Sequence, residues 1–125
     1  MSGLTYDTGA LILAERGDRR VWALHRRALE RGAPPTIPAA VLVEGWRGDV
    51  QLSRLLQGCL IEPLDAENAK SAGEILGHCD LSVEATDATV VEGALRRMDS
   101  VVTSNRSDLQ ALADGVGRRL AIIAL

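Results

Sequence analysis

Short apolar runs alternate with longer stretches in which apolar residues recur every three or four positions. Leu4-Thr5-Tyr6 reads as a short buried strand, followed by a helix over about Thr8–Glu15 that Gly17 ends. Asp18 caps a second helix running to about Arg31, stopped by Gly32; its apolar stripe takes in Val21, Leu24, His25, Ala28 and Leu29. Pro35-Thr36-Ile37 is a brief strand, and Pro38 suits the first turn of a third helix ending near Gly48. A short helix, about Gln51–Gln57, precedes Gly58 and a third strand, Leu60-Ile61-Glu62. Asp65 caps a helix over Ala66–Leu76 whose inward positions, Ala69, Ala72, Gly73 and Leu76, are mostly small; a sheet or a partner helix fits them equally. Gly77–Ala85 reads as a loop, Thr86–Met98 as a helix and Ser100–Thr103 as a strand. A last helix, about Ser107–Asp114, and a final strand, Leu120–Ile123, complete the pattern.

Strands that alternate with helices predict an α/β sandwich around a mainly parallel sheet. At 125 residues the chain should form one domain, residues 1–125, with a real core. Hydrophobic content of 46% and charged content of 25% fit a soluble globular protein, and no apolar run approaches the roughly 20 residues of a membrane span. Asp7 falls where the apolar stretch of a signal peptide would lie, so the expected location is the cytoplasm. Cys59 and Cys79 lack metal-ligand spacing and read as structural thiols.

The net charge of −3 argues against attraction of nucleic acid by bulk charge. Thirteen of the fourteen basic residues are nevertheless arginine, and they cluster as Arg16, Arg19 and Arg20, then Arg26, Arg27 and Arg31. Arginine forks match phosphate oxygens, although a solvated helix face accounts for the same grouping. With only Tyr6, Trp22 and Trp46 as aromatics, a base-stacking platform is not expected.

Four carboxylates are the candidate chemistry. Asp7 closes the first strand, Glu44 lies inside the third helix, Asp87 heads the helix after the loop, and Asp108 follows the fourth strand. Ligands of open parallel sheets bind beyond the carboxyl ends of the strands, where Asp7 and Asp108 fall and where Asp87 can join them. Each acid has a plainer explanation: Asp7 as a cap, Asp87 and Asp108 as complements to helix dipoles, Glu44 as a surface partner of Arg47. Two details favour a site. Asp87 heads the stripe Val90, Val91, Ala94, Leu95 and Met98, and Glu44 has too many helical residues before it to be a cap. Converging carboxylates repel one another unless a cation holds them, and an all-oxygen donor set favours Mg²⁺ or Mn²⁺ over zinc.

Tyr6-Asp7-Thr8-Gly9-Ala10-Leu11-Ile12, Val43-Glu44-Gly45-Trp46-Arg47-Gly48, Thr86-Asp87-Ala88 and Val101-Val102-Thr103-Ser104-Asn105-Arg106-Ser107-Asp108-Leu109 occur in an order and spacing that resemble a PIN domain, and within that group a VapC-type toxin ribonuclease of a type II toxin–antitoxin system. The resemblance implies a PIN-like three-layer α/β/α sandwich with a five-stranded, mainly parallel sheet in the order 3-2-1-4-5. It implies a Mg²⁺- or Mn²⁺-dependent endoribonuclease, with homodimerisation and inhibition by a VapB-type antitoxin whose C-terminal segment covers the acidic pocket. Carried over by position, Asp7, Glu44, Asp87 and Asp108 are the acidic quartet: Asp7 and Asp108 hold the principal ion with Asp87 close by, and Glu44 serves a second ion or the attacking water. Thr103, Ser104 and Asn105 give polar support. Many relatives carry an acid at the position of Asn105, so a second ion is in question here, and Glu84, one helical turn before Asp87, is a candidate substitute. Asn105 also motivates a rival expectation, a PIN-like protein with weakened metal binding that acts mainly as a protein- or RNA-binding module. A response-regulator-like receiver is disfavoured by the missing early acidic pair and by Lys70 being the sole lysine.

Overall fold

A computed structural model describes residues 3–125. The elements, in chain order, are β1 (Leu4–Tyr6), α1 (Thr8–Glu15), α2 (Arg19–Glu30), β2 (Thr36–Pro38), α3 (Ala39–Gly45), α4 (Val50–Gln57), β3 (Leu60–Glu62), α5 (Ala66–Gly77), α6 (Ala85–Arg97), β4 (Ser100–Thr103), α7 (Arg106–Gly115) and β5 (Ala121–Ala124). Five parallel strands form one sheet in the order β3-β2-β1-β4-β5, as expected.

Parallel neighbours require crossovers, and the right-handed rule assigns each helix to a face. The chain first moves outward from β1 to β2 and β3, then returns across the sheet to β4 and β5. Helices α1 to α4 therefore lie on one side, where α1 packs with α2, α3 and α4. On the other side α6 lies over β1, β2 and β4, flanked by α5 and α7. Alternation along β1 serves both layers: Tyr6 turns toward α2, where its hydroxyl sits 3.0 Å from Nδ1 of His25, while Thr5 turns toward α6. The core is sealed by fully buried Leu11, Ile37, Leu52, Leu55, Leu109 and Leu112.

Most expected boundaries hold to within two residues, and the exceptions have local causes. The second strand is shifted to include Pro38, whose backbone pairs with Glu62 and caps α3 rather than entering its first turn. Helix α3 stops at Gly45, short of Gly48, because Trp46 is extended and the Arg47 guanidinium donates to the carbonyls of Val43 and Trp46. Helix α5 packs chiefly on α6, which answers the open question of what its small residues meet; only Ala72 is buried, whereas Ala69 and Gly73 line an open groove between the two helices. Leu29 and Met98 were expected on buried stripes but are exposed. Met98 ends α6 in the left-handed region at φ 61°, which swings its side chain off the helix face.

The C-terminal end of α6 is fixed by a charge network beneath the sheet. Arg97 donates through Nε to Asp99 Oδ2 at 3.0 Å and through Nη2 to Thr5 Oγ1 at 2.9 Å, and Thr5 donates to the same Asp99 oxygen at 2.8 Å. Its Nη1 lies 2.7 Å from Glu62 Oε2 but off hydrogen-bonding geometry, so this contact is an ion pair only. Arg96 joins Glu62 and Glu92 at 2.5 and 2.9 Å. Gly93 makes room for the arrangement: a Cβ there would stand 2.8 Å from Arg97 Nη1. Removing one member of a buried ionic network leaves uncompensated charge, which costs more than the pair's net worth. The variant Arg97→Ala is expected to lose about 3 kcal/mol in urea unfolding with an unchanged denaturant slope; a loss under about 0.5 kcal/mol, the scale of a surface substitution, would show the network to be ornamental.

Candidate metal centre

Strand order reverses between β1 and β4, and such a switch point opens a crevice at the carboxyl edge of the sheet. Asp7 stands directly after β1 and is 4% exposed. Its extended backbone makes it the N-cap of α1: Oδ1 accepts from the Ala10 amide at 2.9 Å. Its other oxygen accepts from the Thr103 hydroxyl at the end of β4. The same Thr103 Oγ1 accepts from the Asn105 amide at 2.8 Å, so β4 and the turn after it hold the Asp7 carboxylate from one side. The expected cap role of Asp7 is therefore observed.

The other acids come to this edge from separate elements. Asp87 lies in the first turn of α6, half-buried, and Asp108 in the first turn of α7, also half-buried. Glu44 is exposed near the end of α3, and its Oε1 accepts from Thr8 Oγ1 at 2.9 Å. The expected surface alternative for Glu44 does not form, because Arg47 turns to backbone carbonyls instead. Asp108 Oδ2 accepts from Asn105 Nδ2 at 2.8 Å, and Ser107 donates to Asn105 Oδ1 at 3.2 Å. Asn105 therefore orients Asp108 through its amide.

Electrostatics tie the four together. Asp87 is raised from its ordinary value of 3.8 to about 6, first by burial and then by the charges of Asp7, Asp108, Glu44 and Glu84. Four other carboxylates thus lie near enough to this half-buried one for their charges to disfavour its ionisation. Asp7 is also raised, by burial, against the lowering effect of Thr103 and of the amides of Ala10 and Gly9. Among the described residues, no three His, Cys, Asp or Glu side chains are gathered closely enough to hold an ion as they stand. The donor set is nevertheless all oxygen and strongly negative, the chemistry that suits a hard divalent cation.

Four residues have roles that sequence reasoning did not foresee. Thr8 ties Glu44 to α1, and only its place one residue after Asp7 hinted at that role. Gly9 lies against Ser104: a Cβ there would stand 2.2 Å from the Ser104 hydroxyl, which would have to rotate away. His25 and Tyr6 form a buried pair behind the site, where burial lowers the histidine and raises the phenol, keeping both neutral. Cys59 is away from this chemistry, its thiol pushed up to about 12 by burial.

No family model matches the sequence, and no curated protein does. Solved structures do. VapBC2 from Rickettsia felis, bound to a promoter DNA fragment, superposes with a TM-score of 0.73 at 15% identity, covering 98% of each chain. A toxin–antitoxin complex from Klebsiella pneumoniae gives 0.67 at 22% identity over 98% of this chain and 97% of that one. VapC20 of Mycobacterium tuberculosis, a toxin that cleaves the sarcin–ricin loop, gives 0.64 at 18% identity over 87% and 95%. Likeness at these identities establishes the fold, and the expected PIN-like sandwich with sheet order 3-2-1-4-5 is the observed one.

The raised Asp87 has a consequence for the metal-free protein. A carboxyl group bound more tightly by protons when folded makes stability fall as pH rises from about 4 through 6. Removing the charge in Asp87→Asn is expected to flatten that slope and to stabilise the protein by about 1 kcal/mol at pH 7.5 in EDTA, solvent screening having reduced the full effect. Urea unfolding at several pH values checks this; a variant less stable than wild type at pH 7.5 would contradict it.

Proposed function

We propose that the chain is a Mg²⁺- or Mn²⁺-dependent endoribonuclease, the toxin of a VapBC-type pair. The observation that carries this reading is the placement of Asp7 after β1, Glu44 on α3 and Asp87 and Asp108 in the first turns of α6 and α7, near enough for their charges to raise Asp87. The fold shared with toxin structures, one of them named as a sarcin–ricin loop cleaving toxin, supports the choice of RNA.

In this reading Asp7, Asp87 and Asp108 hold the ion, and Glu44 faces it from α3. When bound, the cation supplies positive charge that polarises a phosphodiester and eases deprotonation of water. The protein's own groups set the geometry. Asp7 is fixed at both oxygens by Ala10 and Thr103, so it needs little reorganisation to receive a cation. Thr8 fixes one oxygen of Glu44 and leaves the other to orient the attacking water. Asn105 aligns Asp108, and Ser104, packed against Gly9, closes the rim. Glu84, exposed at the start of α6, adds negative field at Asp87.

The partners follow from the same reading: an RNA substrate, a VapB-type antitoxin and a second copy of this chain, in the cytoplasm. Exposed Val43, Val50, Leu60, Ile61, Leu64 and Leu81 offer the apolar surface that such contacts use. No helix of the described residues is long and apolar enough to cross a membrane.

A nuclease assay on RNA with Mn²⁺ is expected to show cleavage by wild type, and at least a hundredfold less by Asp7→Asn and by Asp87→Asn. Equal rates in all three would reject the site. Asn105 favours one rival, a binding module with weakened metal affinity, because its neutral amide occupies an oxygen of Asp108. Calorimetric titration of wild type is expected to show saturable Mn²⁺ uptake; no uptake at millimolar ion would favour the module.

A further inference from the structure

We infer that the arginine face of α2 and the carboxyl end of β5 form the track along which a single RNA strand reaches the carboxylates, an inference that rests on the ribonuclease reading. Arg19, Arg20, Ala23, Leu24 and Arg27 fall on one helical face and line a groove of about 390 Å³ with Ile123, Ala124 and Leu125 opposite them. The groove is open and its floor is mainly apolar, with exposed Arg19, Arg20 and Arg27 along its edge; its volume is on the scale that admits a nucleotide.

Position connects the groove to the site. Ala124 pairs with Thr103 across the sheet, and the Leu125 amide donates to the Thr103 carbonyl at 2.9 Å. Thr103 is the residue whose hydroxyl holds Asp7. The β5 wall of the groove is therefore one strand spacing, about 4.8 Å, from the backbone of Thr103.

Charge selects the occupant. Residues 15–31 hold six arginines against Glu15, Asp18 and Glu30, in a chain whose net charge is −3. Arg20 pairs with Asp18 at 3.2 Å, while Arg19 and Arg27 have no ion-pair partner among the described residues. A strand drawn toward an acidic recess needs its phosphates neutralised beside that recess, and guanidinium forks do so bidentately. The groove contains no aromatic side chain, so it grips backbone without stacking on bases and is indifferent to their identity. Choice of sequence then lies at the carboxylates or in the shape of the RNA.

The test is anisotropy of a labelled single-stranded RNA about a dozen nucleotides long, in EDTA, between about 50 and 200 mM salt. The triple variant Arg19→Gln/Arg20→Gln/Arg27→Gln changes exposed positions to a good helix former, so the fold is retained. It is expected to bind at least about tenfold more weakly and to lose about 2 from the log–log salt slope, at roughly 0.7 per phosphate contact. Arg118→Gln/Arg119→Gln serves as the control and is expected to match wild type. In cleavage with Mn²⁺ the triple variant should show a raised KM and an unchanged kcat. Unaltered affinity and slope in the triple variant would overturn the track. So would loss of binding to a glutamate-rich peptide with RNA binding intact, which would make the groove a protein-docking surface. A wild type that binds RNA through these arginines without cleaving it would overturn the ribonuclease reading alone.

Discussion

Repulsion among carboxylates at the β1–β4 switch point is the constraint around which this structure is organised. Asp87 feels the charges of Asp7, Asp108, Glu44 and Glu84, which come from separate elements. The fold does not neutralise them with arginine or lysine. It restrains Asp7, Glu44 and Asp108 with hydroxyls, an amide and one side-chain amide, which hold a carboxylate in place without cancelling its charge. Asp7 is the most firmly held because one oxygen accepts from the first turn of α1 and the other from the end of β4, so its position depends on the β1–β4 pairing. So does the close approach of Ser104 to Gly9.

Helix α6 shows how the rest of the protein supports that arrangement. Asp87 lies at its N-terminal end, where the helix dipole offers partial relief to a negative charge. Arg96 and Arg97 lie at its other end, where the dipole favours cations, and their contacts with Glu62, Glu92 and Asp99 fix the helix against the sheet. Rigid anchoring at one end holds the repelled carboxylate at the other. The arginines are thus divided in role: those on α6 satisfy buried acids, whereas several on α2 face solvent without a partner among the described residues.

The sequence made the element pattern legible because it is written in strong local terms. Asp18 and Asp65 cap their helices as their positions predict, and Asp49, which the reading passed over, caps α4 in the same way. The acids were legible because Glu44 and Asp87 sit where caps and surface pairs explain them poorly. What stayed hidden depends on contacts between distant segments. Nothing near Thr8 points to Glu44, and nothing near Thr5 announces Arg97. The stripes overreached at Leu29 and Met98 because periodicity assigns a face but not where a helix frays or turns left-handed. The small residues of α5 were ambiguous for a related reason: periodicity shows a face that permits close approach, and only packing shows that α6 takes part of it.

The most direct measurement is amide NMR of the protein during addition of substoichiometric Mn²⁺, whose unpaired electrons broaden signals near the place it binds. The account predicts broadening centred on residues 7–9, 44, 87–88 and 103–108, with signals of the Arg96–Arg97 end of α6 left sharp. Broadening spread evenly over the acidic surface, or centred away from Asp7 and Asp87, would contradict it.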